Sequence, residues 1–143
     1  MIPGLEHAEF IRYGVMHRNS FLDSPRLLDA DYHFRGQDGL YFAGQMTGVE
    51  GYMESAASGI LAGKNLARQL QGKPPLILPR ETMMGALAAY ISSAPTENFQ
   101  PMGANMGILP DLPERIRGKQ EKYQAYADRG MAALEQYLQT AEQ

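Results

Sequence analysis

The chain of 143 residues contains no cysteine, so it offers no disulfide, no thiolate ligand for a metal and no cysteine nucleophile. It has no run of about 18 uninterrupted apolar residues, so no membrane-spanning helix is expected. Neither GxGxxG nor a Walker A motif occurs, so the glycine-rich turn that binds a dinucleotide pyrophosphate is absent from this sequence. The formal net charge of −3 argues against a nucleic-acid footprint over the whole chain, but leaves room for a local basic patch.

The composition is that of a globular protein, with 44% hydrophobic and 20% charged residues and the length of one ordinary domain. The first residues have neither the basic nor the apolar region of a signal peptide, and a cytoplasmic location fits the lack of cysteine. Residues 72–75 read Gly-Lys-Pro-Pro, which predicts the end of a helix. We therefore divide the chain into residues 1–73 and residues 74–143.

The most informative stretch is residues 39–64, which predict a buried strand, a glycine-bearing turn and a helix rich in small residues. The strand is expected at residues 40–43 and the helix at residues 51–71. Glycines allow a ligand to approach the backbone closely, and the helix N-terminus favours negative charge. An ordinary strand–helix turn of an α/β domain is the alternative. The candidate ligand-binding residues are Gly44, Gln45, Thr47, Gly48, Val49 and Gly51.

Other elements are predicted from local pattern. Residues 9–16 include β-branched and aromatic residues and predict a strand, and residues 81–90 predict a helix. Residues 92–110 form a long irregular stretch rich in proline and glycine. Asp111 is a plausible N-cap for a final helix that reaches about Gln139.

Two polar clusters are further candidates. The pattern around His17, Arg18 and Asn19 suits an anionic or heteroaromatic ligand, although a solvated strand end is the simpler interpretation. A second cluster is basic, and it suits either phosphate contacts or the solvated face of a helix. It comprises Arg115, Arg117, Lys119 and Lys122.

Two other features carry less information. Residues 98–110 present amides and Phe99, which suit contact with a base or a partner subunit, or simply tie the last helices to the preceding part. His7 and His33 have no histidine partner one helical turn away, so no metal site is expected.

Several blocks in order resemble one family from nearly end to end of the chain. The chain is similar to TrmFO, the bacterial folate- and flavin-dependent tRNA uracil-5-methyltransferases, within the wider GidA-related flavoprotein group. The blocks are IPGLE at 2–6, RYGVMHRN at 12–19, FAGQMTGVEGY at 42–52, PRET at 79–82 and NFQPM at 98–102. GidA proteins share the Gly-Gln-x-x-Gly turn but look less similar in the second block.

The resemblance implies a fold and a chemistry. The fold would be α/β, the C-terminal part of a Rossmann-like FAD-binding domain followed by a mostly helical tail. FAD, reduced by NADH or NADPH, would take a one-carbon unit from methylenetetrahydrofolate and deliver it as a methyl group to C5 of a T-loop uridine in tRNA. Residues 44–51 would line the flavin ring, and residues 17–19 would lie near a flavin–folate pocket. The basic cluster would contact tRNA.

The chain departs from the family in extent, because it lacks the family's glycine-rich turn and proposed catalytic cysteine. We therefore expect an N-terminal part to be missing and the chain alone to be inactive. A GidA-like tRNA-modifying flavoprotein and a non-catalytic tRNA-binding or oligomerisation module are the alternatives. The oligomeric state, the nicotinamide reductant and the group that transfers protons stay open.

Overall fold

The chain folds into four helices joined by long irregular segments, as seen in a computed structural model that describes residues 2–14 and 19–141. The helices are α1 at Ser24–Leu27, α2 at Tyr52–Leu70, α3 at Met83–Ser93 and α4 at Lys119–Ala141. Single 3-10 turns occur at Gly44–Thr47, Thr96–Asn98 and Met106–Ile108. The predicted helices at 51–71 and 81–90 are therefore confirmed within a few residues.

Local chemistry explains the bounds of α2 and α3. At the end of α2, Gly72 has φ +67°, the Lys73 N–H donates to the Arg68 carbonyl at 2.9 Å, and the Gly72 N–H donates to the Gln69 carbonyl at 3.0 Å. This pair of bonds is a Schellman motif, which satisfies carbonyls at the helix end. At the start of α3, Thr82 Oγ1 accepts from the Gly85 N–H at 2.9 Å as an N-cap.

The predicted strands are wrong for the described residues, which contain isolated β-bridges and no strand. Residues 40–43 are half-buried, and within them only Tyr41 pairs, in one antiparallel bridge with His33. A strand needs a continuous row of partners, and this run has none beyond that bridge. Residues 9–14 are exposed and irregular, and the remainder of the predicted 9–16 strand lies outside the described residues.

The last helix begins later than predicted. Asp111 is not its N-cap, since α4 starts at Lys119. The reason lies in Arg129, whose guanidinium donates to the carbonyls of Asp111 at 2.8 Å and Pro110 at 2.6 Å. A helix from Asp111 needs its carbonyl to accept the Arg115 N–H, so this contact competes with helix formation.

The hydrophobic core joins both parts of the chain. Its fully buried members include Tyr32 and Val49 from residues 1–73, and Leu87 and Ile91 from residues 74–143. A second cluster of Ala86, Leu109 and Tyr126 lies where α4 meets α3. The division at residue 73 stays a prediction, and Val49, which belongs to the site described below, is a member of the first cluster.

Candidate functional site: the glycine turn before α2

Residues 44–51, called the glycine turn, connect the apolar run at residues 40–43 to α2. Three glycines have positive φ, +68° at Gly44, +85° at Gly48 and +94° at Gly51. Residues with a Cβ rarely adopt these angles, which explains why glycine recurs here. Ala43 before the turn is extended, with φ −148° and ψ 168°. The chain thus turns through one 3-10 turn and enters α2 directly after Gly51.

Side chains on α2 and within the turn fix its start. The Gly44 N–H donates to the hydroxyl of Ser58 at 2.8 Å, and that hydroxyl donates to the Ser55 carbonyl at 2.7 Å. The Thr47 hydroxyl donates back to the Gly44 carbonyl at 2.8 Å. Ser58 and Thr47 are both fully buried. The turn is therefore held by polar groups that are themselves satisfied, which favours a single shape.

Several backbone N–H groups at the end of the turn and the start of α2 have no acceptor among the described residues. Val49 is fully buried, yet its N–H has no acceptor among the hydrogen bonds of residues 2–14 and 19–141. In α2 the first intrahelical bond runs from the Ser55 N–H to the Gly51 carbonyl at 3.0 Å. The N–H groups of the three preceding residues therefore have no acceptor within the helix, and they carry its positive dipole end.

A small cavity of about 170 Å³ lies beside these donors. Its lining comprises Gln45, Val49, Glu50, Gly51, Tyr52 and Ser55. Tyr52 is 99% exposed and Met53 81% exposed, so large apolar side chains stand in solvent next to it. A buried donor without an acceptor and a helix N-terminus together suit an acceptor-rich or anionic ligand edge.

Tyr41, three residues before the turn, lies among acidic side chains. Burial, with the negative charges of Asp31 and Asp38, raises the pKa of Tyr41 above its ordinary value of 10.0. The His33 ring packs edge-on against it, with ring centroids 5.2 Å apart. The phenol therefore keeps its proton throughout the physiological range.

The other predicted site residues do not join the glycine turn in the described chain. His17 and Arg18 lie outside the described residues, and Asn19 is exposed. Arg115 and Arg117 are exposed in the segment before α4. Arg115 borders a cavity of about 360 Å³, whereas Arg117 does not.

The basic cluster is interleaved with aromatic rings at the start of α4. Lys119 Nζ lies 5.7 Å from the centroid of the Tyr123 ring, and Lys122 Nζ lies 5.8 Å from that of Tyr126. Such contacts orient the ammonium groups while leaving them hydrated. Lys119 and Lys122 are exposed on α4, and Arg115 and Arg117 are exposed in the irregular segment before it. Phosphate contact and a solvated face both stay predictions.

Sequence reasoning missed the contacts that support the glycine turn. Ser58, in the second turn of α2, anchors Gly44, and a buried serine in an amphipathic helix is a weak signal for that role. Met102 forms a parallel bridge with Val49. No local pattern reveals this pairing, because the two residues are far apart in sequence and neither lies in a strand.

The helical spacing of Tyr52, Ile60 and Leu70 predicts a packing face on α2, but this face is exposed in the described structure. Tyr52, Ile60 and Leu70 stand out of the molecule, with exposed fractions of 99%, 62% and 79%. Beside them, a Cβ added at Gly59 or Gly63 would meet no other part of the described chain within 4 Å. The close approach that these glycines permit is therefore not used within residues 2–14 and 19–141.

The described residues contain no group of three or more histidine and acidic side chains placed to hold a metal ion. None of the described helices combines the length and the low charge that crossing a membrane requires.

Comparison with known proteins defines the class of the chain. The family model described as "Glucose inhibited division protein A" matches residues 1–74, about half of the chain, and the chain belongs to this family. The matched range contains the whole glycine turn and α2.

Curated relatives refine this assignment. A protein of Enterococcus faecalis named methylenetetrahydrofolate–tRNA-(uracil-5-)-methyltransferase TrmFO is 59% identical over 98% of this chain. Proteins of the same name from Staphylococcus epidermidis and Ligilactobacillus salivarius are 57% and 58% identical over 98% and 96% of it. The chain covers 31–32% of these relatives, so it spans about a third of their length. The resemblance to TrmFO is thereby confirmed.

Proposed function

We propose that this chain is the C-terminal part of a methylenetetrahydrofolate- and FAD-dependent tRNA (uracil-5-)-methyltransferase and is inactive by itself. The observation that carries the proposal is the identity of 54–59% over 96–98% of the chain with proteins of that name. The missing two thirds would supply the pyrophosphate-binding turn and the rest of the active site.

The glycine turn fits the ring end of FAD. Val49, whose N–H has no acceptor among residues 2–14 and 19–141, borders the same cavity as the N-terminus of α2. Together they suit the N1–C2=O edge of the ring, which gains negative charge on reduction. Gly44, Gly48 and Gly51 supply the positive-φ conformations that give the turn its shape, and Gln45 and Thr47 complete the proposed contacts. In this role the chain binds and orients the ring and stabilises its reduced form.

When bound, FAD would supply the electrons that complete the reduction of a folate-derived carbon to a methyl group on uridine. The chain's own part in this chemistry is electrostatic, because preorganised N–H donors stabilise charge where it develops. NADH or NADPH would serve as the reductant, in the cytoplasm. His17, Arg18 and Asn19 are proposed to border the flavin–folate pocket on the strength of the RYGVMHRN block alone.

The exposed face of α2 supports the proposed α/β architecture of the longer protein. We propose that the remaining part provides strands beside residues 40–43 and a surface over the α2 face. The extended conformation of Ala43 and the half-buried apolar run before it suit a strand whose neighbouring strands lie in the remaining part of the protein. The Gly59 and Gly63 surface would then allow the helix to lie close against that sheet.

The test uses the chain completed with the part of the Enterococcus faecalis relative that it does not match. This protein is incubated with unmodified tRNA, methylenetetrahydrofolate and NADH or NADPH, and its product is analysed by nucleoside mass spectrometry. 5-Methyluridine that requires both flavin and folate supports the proposal. Gly48→Val should abolish flavin binding, and Glu135→Gln on the exposed side of α4 should not. A flavin-loaded protein that forms no 5-methyluridine refutes the proposal.

The family model favours a second candidate, a GidA-like tRNA-modifying flavoprotein. It shares the ring-binding turn and differs in the group that is added to the uridine. The same mass analysis separates the two candidates, because a different modified uridine in place of 5-methyluridine identifies the second.

We propose that the basic cluster contacts the tRNA backbone. All four side chains are exposed. If this region bound tRNA in the absence of flavin, the chain would serve as a non-catalytic tRNA-binding module. Arg115→Gln with Arg117→Gln should reduce the slope of log affinity against log salt by about 1–2. Lys64→Gln with Lys73→Gln is the control of equal charge. Equal losses from both pairs, or no binding by the chain, would refute the contact.

A further inference from the structure

We propose that residues 99–104, called the strap, set the shape of the glycine turn, and that Phe99 is the positioning residue through which they act. The inference rests on the proposed function only where it concerns flavin. Its first part, that the strap orders the turn, stands on contacts within the chain.

Backbone pairing joins the strap to the centre of the turn. The Met102 N–H donates to the Gly48 carbonyl at 2.9 Å, and the Glu50 N–H donates to the Met102 carbonyl at 3.0 Å. These bonds flank Val49 on one edge of the chain. The Val49 N–H shares a peptide group with the Gly48 carbonyl, and the C=O and N–H of a trans peptide point in opposite directions, so the Val49 N–H points away from the strap. The strap thereby decides which backbone N–H of the turn is paired within the described chain and which is not.

The Phe99 ring packs directly against Gly48 of the glycine turn. A Cβ at Gly48 would lie 2.6 Å from Phe99 Cζ, so the ring occupies the space that any other residue would need. Phe99 is buried, with its ring centroid 5.7 Å from that of Tyr90 and 5.9 Å from that of Phe21. Gly48 is therefore required twice, for its φ of +85° and for contact with this ring.

The strap is tied at both ends to helices. At one end the Tyr90 hydroxyl, on α3, donates to the Gln100 carbonyl at 2.9 Å. At the other end the Ala104 N–H donates to Glu54 Oε1, on α2, at 3.3 Å. A displacement of α3 thus reaches the glycine turn through Phe99 and Met102. In this way α3 would influence the flavin-binding turn without contacting the ligand.

Amide hydrogen exchange of this chain tests the strap without flavin. Phe99→Leu should speed exchange at the Glu50 N–H about tenfold more than at the central amides of α2, because local opening then precedes global unfolding. Leu109→Ala, at a similarly buried position in the other cluster, is the matched control and should speed exchange uniformly. Tyr90→Phe provides a milder second variant with the same local pattern. Uniform acceleration by Phe99→Leu and Tyr90→Phe overturns the inference.

A second measurement uses the completed protein described above. Phe99→Leu should shift the absorption bands of bound flavin and weaken FAD binding, whereas Leu109→Ala should leave the spectrum unchanged. An unchanged spectrum in Phe99→Leu overturns the effect on the flavin site. A completed wild-type protein that binds no flavin refutes the proposed function instead, and the exchange result alone then decides whether the strap orders the turn.

Discussion

Replacing Gly85 or Gly59 with alanine should change stability in opposite directions, although both residues lie inside helices. Gly85 is buried at the start of α3, where an added Cβ would overlap the Pro79 carbonyl oxygen and lie 2.6 Å from the Leu78 carbonyl oxygen. Gly59 in α2 is exposed, and its added Cβ would meet no other part of the described chain within 4 Å. Helix propensity is common to both sites, so packing decides the difference.

The magnitudes follow from two terms. Alanine is favoured over glycine in a helix interior by about 1 kcal/mol. Overpacking of a buried site costs about 1–3 kcal/mol, and the upper part of this range applies to Gly85, because backbone carbonyls cannot rotate away as side chains do. Gly85→Ala should therefore destabilise the chain by roughly 2 kcal/mol, and Gly59→Ala should stabilise it by roughly 0.5–1 kcal/mol.

Urea denaturation followed by far-ultraviolet circular dichroism measures both changes, provided that the slope with denaturant stays equal among the variants. A stabilising Gly85→Ala would refute the close approach of α3 to the preceding turn. A destabilising Gly59→Ala would show that this face of α2 is already covered in solution. It would then contradict the proposal that the face is left open for the remaining part of the protein.

Three further predictions concern the core and the turn. Tyr32→Phe should raise stability by about 1 kcal/mol, because the buried Tyr32 hydroxyl has no hydrogen-bond partner among the described residues. Burial also raises the pKa of Tyr32, so wild-type stability should fall as the pH rises above 10.0, where only the unfolded tyrosine ionises, and this fall should be shallower in Tyr32→Phe. Ser58→Ala should lower the urea midpoint by the equivalent of about 1–3 kcal/mol, since the Gly44 N–H loses its buried acceptor. FAD should leave the thermal melting temperature of the isolated chain unchanged, and a large upward shift would contradict its proposed incompleteness.

Elements specified by nearby residues could be predicted from the sequence. The end of α2 follows from Gly72 and the prolines after it, and the start of α3 from Thr82 and the helix-forming residues behind it. The glycines of the turn were also identifiable, because positive φ leaves few other choices. These signals act over one or two turns of chain, and they need no knowledge of the tertiary structure.

Elements specified by distant residues could not be predicted. The segment at residue 111 has the N-cap and proline typical of a helix start, yet the Arg129 guanidinium donates hydrogen bonds to the carbonyls of Pro110 and Asp111. Similarly, Phe99 meets Gly48 across about fifty residues of sequence. The apolar run at residues 40–43 has a strand composition, but strand formation depends on partners that the described chain does not provide. In each case a tertiary contact overrides a local preference.

The α2 face shows how a correct pattern can describe a surface that the folded chain leaves open. Tyr52, Ile60 and Leu70 recur at helical spacing, as expected for a face that packs, and yet all three are mostly exposed. An exposed apolar stripe beside two unfilled glycines is unfavourable for an isolated soluble chain. This exposure supports the proposal that the face packs against a surface that residues 2–14 and 19–141 do not supply, in a chain that spans about a third of its relatives' length. If the completed protein covers this face, Gly59→Ala should change from stabilising to destabilising there, since the added methyl group would then meet the sheet.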